Sequence, residues 1–109
     1  MLAIFDVFDE WFALDSFEGC SFVNILLEIS DREDEVRAAS VRHLANIREF
    51  VRGLAEEAGA ADPAALACQW HILMKGSIVA AGEGDHKAAR RAQEVGALLL
   101  EREPGVRAA

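Results

Sequence analysis

The sequence holds only two prolines and eight glycines in 109 residues, and β-branched residues are sparse beside Ala, Leu, Glu and Arg. With so few interrupters among strong helix formers, the fold class expected is all-α. Basic charge is also short: 11 Lys and Arg face 19 Asp and Glu, a net charge of −8. Affinity for nucleic acid comes largely from cations that neutralise phosphates, so this balance excludes strong DNA or RNA binding by the chain itself. It equally disfavours anionic membrane surfaces. No run of about 18 apolar residues is present, and no charged-then-apolar leader ends in a cleavage site, which excludes a membrane-spanning helix and a secretory signal. A cytoplasmic protein is expected. The only two cysteines, Cys20 and Cys68, lie alone in apolar segments and read as reduced, buried small hydrophobes rather than a disulfide.

Chemical signatures are missing as well. There is no G-x-S-x-G, no glycine-rich phosphate loop and no recognisable carboxylate pair, so no enzyme is expected. Among Cys20, Cys68, His43, His71 and His86 no pair has close ligand spacing such as C-x2-C, so neither a metal nor another cofactor is expected.

What is present is apolar material, 52% of the residues, enough to build one core; with 28% charged residues it argues against disorder. Five helical segments follow from its periodicity. Met1–Leu14 stacks Ile4, Phe8 and Trp11 on one stripe, with Phe5 and Phe12 beside it. Ser16 is a plausible cap for a second helix over about Gly19–Ile29, apolar nearly all round and therefore expected at the centre of the fold. Ser30-Asp31-Arg32-Glu33 has the form of a capping box opening a long helix to about Ala58, with Gly59 as its stop. The inner stripe expected there is Val36, Ser40, His43, Ile47, Phe50, Val51 and Leu54. Asp62-Pro63 starts a fourth helix reaching about Ala81. Asp85 caps a fifth, ending near Arg102, and residues 103–109 read as a frayed tail.

Trp70, His71, Ile72, Leu73 and Met74 run consecutively, so they point in every direction around the fourth helix. Small residues follow in the next turns, and the fifth helix repeats Ala88, Ala92 and Gly96 at four-residue spacing, which lets another backbone approach closely. Two packings satisfy this pattern. The two helices pack on each other within the chain, or the pair meets its copy across a two-fold axis as a four-helix bundle. The second is the expectation, with Trp70, Leu73, Ser77, Ala81, Ala88, Ala92, Val95, Gly96 and Leu99 at the homodimer interface.

The run FDVFDEWF, then GCSFVN with Glu28, a long helix carrying His43, Ile47 and Phe50, then ADPAALA, KGSIVAA and GDHKAARRA resembles, in order and spacing, the C-terminal regulatory domain of TetR/AcrR-type transcriptional regulators. The resemblance covers residues 1–102. It implies a helical homodimer built on the last two long helices, a ligand cavity between the preceding ones, and an N-terminal helix-turn-helix domain that reads operator DNA. That domain does not precede Met1 in this sequence, so DNA would be reached only through the missing part.

If such a cavity borders the second helix, Asn24 and Glu28, four residues apart on one face, are its polar anchors among apolar walls. Both residues have a plain structural reading too, as a backbone brace and a solvated helix end. His43 reads as a satisfied core residue or a ligand contact, His71 as a member of the dimer seam, and His86 as solvated beside the Asp85 cap. The candidate ligand set is Phe8, Trp11, Phe12, Cys20, Asn24, Leu27, Glu28, His43, Ile47, Phe50, Trp70 and Met74, suited to a small apolar or aromatic effector. The functional expectation is the ligand-sensing and homodimerisation domain of a TetR-type regulator, a repressor, without its own DNA-binding domain. The alternative is a structural helical dimerisation module with a filled core and no ligand, one form of which would pair with full-length regulators.

Overall fold

In the computed structural model, which describes residues 1–106, five α-helices carry the chain: α1 Ala3–Phe12, α2 Ser21–Glu28, α3 Glu35–Glu57, α4 Pro63–Gly82 and α5 Ala88–Arg102. The described residues contain no strand. Two of the boundaries follow the local chemistry expected of them. Asp62 caps α4, accepting the Ala65 N–H at 3.1 Å, and Pro63 takes the first helical position, where its missing N–H costs nothing. Gly59, at φ +89°, turns the chain out of α3 in the left-handed region that glycine enters without steric penalty.

Two caps differ from expectation. The α3 cap is Asp34 rather than Ser30: its Oδ1 accepts from the N–H groups of Val36 and Arg37 at 2.9 and 3.0 Å. The Ser30–Glu33 box does not form, because residues 29–34 remain non-helical and Arg37 Nε reaches back to the Ile29 carbonyl at 3.0 Å. Ser16 likewise caps nothing, since an irregular stretch, 17–20, with Gly19 at φ +85°, separates it from α2. Asp85 works one turn ahead of α5, accepting the Lys87 N–H at 2.9 Å and pairing with Arg91.

The centre of the fold is α4, not α2. α4 packs against α3, α5 and α1, and Leu66, Ala67, Trp70, His71, Met74, Ser77 and Ile78 are buried along it. Three neighbours cover these faces of α4, while Ile72 and Val79 stay exposed on its outer side. α2 has only eight residues and leans chiefly on α3; Val23 is its one buried side chain, and Leu27 is 71% exposed.

Phe5, Val51, Ala55, Leu66, Ala67, Trp70, Met74 and Ala92 form the main core. Trp70 sits at its middle, fully buried, with its ring centroid 5.5 Å from that of Phe5 and its benzo edge against Gly96. On α3 the inward residues are Ser40, Leu44, Val51 and Ala55; Val36, His43 and Phe50, expected on the inner stripe, are exposed. Outside the core, Arg90 ties α5 to α1 through ion pairs with Asp6 and Asp9, and Gln93 Nε2 donates to the Leu2 carbonyl at 3.1 Å.

The expected tail is in part docked. The Pro104 carbonyl accepts the Ala61 N–H at 2.9 Å, and Val106 packs against the core. Residues 107–109 lie outside the described residues.

Candidate functional site

Two hollows compete for attention. The larger, about 380 Å³, is an open groove between the α1–α2 loop, α2 and the end of α4, lined by Phe17, Glu18, Gly19, Asn24, Leu27, Ile78, Val79, Ala81 and Gly82. The smaller, about 250 Å³ and about as open to solvent, lies between α1, α2, α3 and α4 and is lined by Phe8, Trp11, Cys20, Val23, Leu44, Ile47, His71, Met74, Lys75 and Ile78. We take the second as the candidate site. Its walls come from four elements, eight of its ten residues are apolar, and one cationic side chain, Lys75, borders it. Apolar walls with a few convergent polar groups are the make-up of a small-molecule site.

The cavity is held open by rigid parts. Phe8 and Trp11 lie one helical turn apart on α1, with ring centroids at 5.5 Å and an edge-on angle of 69°. Phe17, from the loop, stands edge-on to Trp11 at 5.0 Å and also touches Phe12 at the same spacing. Edge-to-face and tilted aromatic pairs of this spacing are favourable and stiff, so the aromatic wall has little freedom to collapse inward. Leu44 and Ile47, three apart on α3, form the opposite wall. His71, Met74, Lys75 and Ile78, at helical spacing on α4, form the floor.

His71 is the polar group of interest. It is 2% exposed, and its Nδ1 lies 3.4 Å from Arg48 Nη1. Burial, followed by the positive charges of Lys75 and Arg48, pushes its pKa from 6.5 down to about 4, so the ring is neutral at pH 7. A guanidinium can only donate; the contact therefore selects the tautomer in which Nδ1 accepts and Nε2 carries the proton. Lys75 is half-buried beside it.

Of the residues expected to touch a ligand, the cavity brings together Phe8, Trp11, Cys20, Ile47 and Met74. The others lie elsewhere. Asn24 is exposed and donates its amide N–H to the Glu18 carbonyl at 3.3 Å, bracing the loop at Gly19; with Leu27 it lines the open groove instead. Glu28 is exposed at the end of α2. His43 is also exposed and stacks on Phe22, ring centroids 3.8 Å apart. Phe50 is 66% exposed, because the register of α3 that buries Val51 turns it outward. Phe12 buttresses Trp11 from the far side and borders a separate small recess with Asp9 and Asp85. Trp70 is sealed in the core by Phe5 and Gly96 and reaches no cavity. Val23, Leu44, His71, Lys75 and Ile78 were not expected here. The signal was available for α4, where 71, 74, 75 and 78 share one face around a residue already placed at the site, Met74.

The dimer-seam residues divide similarly. Trp70, Ser77, Ala88, Ala92 and Gly96 are buried within the chain, where the small residues of α5 admit α4 and its tryptophan. Close packing of α4 on α5 therefore uses the residues assigned to a second copy. Leu73, Ala81 and Leu99 are half-buried and Val95 is exposed.

The helical order and the close pairing of the last two helices are those of a five-helix all-α domain. A family profile described as "Tetracyclin repressor-like, C-terminal domain" matches residues 1–95, and the chain belongs to that family. No curated protein and no solved structure matches it. Domains of this family are parts of transcriptional regulators, which are not enzymes. No helix among the described residues is long and apolar enough to cross a membrane, and no cluster of three or more potential metal ligands is found among them.

Proposed function

We propose that the chain is the effector-sensing and self-associating domain of a TetR-type transcriptional repressor, working in the cytoplasm. The observation that carries the reading is the apolar cavity between α1, α2, α3 and α4 in a chain of this family. A small apolar or aromatic effector enters it, and operator contact belongs to a helix-turn-helix unit other than α1–α5. The net charge of −8 supports that division of labour.

Self-association rests on what the fold leaves uncovered. The molecule is a slab 40 × 32 × 15 Å with a radius of gyration of 14.6 Å, against about 13 Å for a compact chain of this length. The outer stripe of α4, Ala65, Gln69, Ile72, Gly76 and Val79, is exposed and carries no charge, and α5 adds Val95 and Leu98. Ile72 is 65% exposed. A flat molecule with such a stripe gains from pairing with a copy across a two-fold axis. Light scattering should give twice the 11.9 kDa protomer mass, and Ile72→Asp should halve it; a wild-type monomer at micromolar concentration ends this half of the reading.

The effector half is tested by thermal-shift screening of small apolar and aromatic compounds. A true ligand raises the melting temperature by mass action, equivalent to about 2.7 kcal/mol at a hundred times its Kd. Ile47→Phe, which fills the cavity, should abolish the response while Asn24→Leu keeps it. Identical responses in wild type and Ile47→Phe place the binding elsewhere and refute the assignment.

A further inference from the structure

The cavity wall contains one ammonium-bearing side chain and one imidazole, and nothing acidic. Lys75 contributes to an apolar surface, which a lysine does with its methylene stem while the ammonium stays at the edge, toward water. Behind His71 stands Arg48, half-buried and 3.4 Å away. Among the described residues, Lys75 forms no ion pair, so its ammonium is free to meet an anion at the cavity edge. In a chain with 19 acidic residues and 11 basic ones, the one charged side chain of the cavity wall is a lysine with no acid beside it in that wall. Burial first, and then the charges of Lys75 and Arg48, oppose protonation of His71. The neutral ring leaves its Nε2–H as a donor that no hydrogen bond among the described residues uses.

Resting on the cavity assignment above, we infer that the effector is a small monocarboxylate with an apolar tail, its tail between Phe8, Trp11, Leu44 and Met74 and its carboxylate at Lys75. The volume, about 250 Å³, is below the ~300–1,000 Å³ typical of drug-sized ligands, so the molecule is small. A carboxylate satisfies both unmet features, the unpaired ammonium and the spare imidazole donor. Charge-assisted hydrogen bonds are about twice as strong as neutral ones, so an acid outbinds its neutral isostere. A cationic amphiphile of the same length is repelled.

Octanoate, octanamide and octylamine serve as probes, each titrated calorimetrically into the full chain at pH 7.5. Octanoate is expected to bind roughly ten-fold tighter than octanamide, the equivalent of one charge-assisted contact, with octylamine weaker than both. Lys75→Gln keeps most of the stem and should bring acid and amide within about two-fold of each other. The comparison of the three probes on the wild-type chain needs no variant. Amide binding as tight as the acid, or amine tighter than either, overturns the charge assignment and leaves the cavity as a binding site. Failure of all three to bind while the thermal-shift screen finds a neutral ligand that Ile47→Phe abolishes overturns the carboxylate inference alone; failure of both experiments overturns the cavity assignment as well.

Discussion

Gly96 offers the sharpest test of the packing on which both the cavity and the outer stripe depend. A Cβ placed on Gly96 would lie 2.7 Å from Trp70 Cη2, 3.1 Å from Cζ3 and 3.2 Å from Cζ2. Carbon atoms pack best at about 3.5–4.0 Å, so α5 would have to retreat by nearly 1 Å or the indole would have to turn. The indole has no room to turn: it is fully buried, with Phe5 tilted against it at 5.5 Å. Replacing a mid-helix glycine by alanine gains about 1 kcal/mol of helix propensity, while overpacking a tight core costs about 1–3 kcal/mol and sometimes more. Three ring contacts shorter than van der Waals put Gly96→Ala at the upper end, a net loss of about 2 kcal/mol. For a domain of this size that lowers the melting temperature by about 10 °C. Gly53 is the control, because a Cβ there meets nothing within 4 Å. Gly53→Ala should stabilise by up to ~1 kcal/mol. Thermal melts followed by circular dichroism at fixed protein concentration read both. In a Trp70→Phe background, which removes the benzo edge, the Gly96→Ala penalty should vanish. If Gly96→Ala stabilises as Gly53→Ala does, or changes the association state and not the melt, Gly96 does not hold α5 on Trp70 and the α4–α5 pairing described here is wrong.

Asp34→Ala should cost about 1 kcal/mol in chemical denaturation, because two N–H groups lose their acceptor, whereas Ser30→Ala should lie within a few tenths of wild type; the reverse order restores the capping box at Ser30. The buried His71 makes stability pH-dependent: since folding lowers its pKa from 6.5 to about 4, the unfolded chain takes up the proton first, and stability is complete above pH 6.5 and falls as pH drops toward 4. At pH 5 the loss attributable to this ring is about 2 kcal/mol relative to pH 7.5, read as the difference between wild type and His71→Gln in denaturant midpoints; parallel profiles for the two proteins would show that the ring is not held neutral.

Legibility in the sequence tracked how local the deciding interaction was. Asp62-Pro63 and Gly59 act within one turn of their own position, and the structure uses both as local chemistry requires. The start of α3 did not yield, because Ser30 and Asp34 are both good caps, and the choice was made by Arg37 holding the Ile29 carbonyl. Centrality was harder still. The apolar stretch of α2 and the apolar stretch of α4 look alike as strings, but an eight-residue helix cannot be enclosed by three neighbours and a twenty-residue one can. Phe8 and Trp11, two of the ten wall residues, followed from aromatic spacing on α1. The polar part, His71 and Lys75, shares a face with Met74 at helical spacing, but a helix whose apolar residues point everywhere does not by itself say which neighbour that face meets.

The same feature of α4 that hid the site gives the domain a route for passing on a signal. His71, Met74, Lys75 and Ile78 form the cavity floor, while Gln69, Ile72, Gly76 and Val79, on the same two turns, form the uncharged outer stripe. Between them the helix is pinned at Trp70 by Gly96 and Phe5. A close-packed interior does not deform locally, so a ligand that displaces the floor displaces the stripe with it, pivoting near Trp70. The size of the effect is limited by how differently the ligand binds the two positions of α4, whatever its absolute affinity. Coupling of this kind requires a firm pivot. A looser contact at Trp70, as in Trp70→Phe, would leave binding in the cavity nearly intact and uncouple it from any change at the outer face.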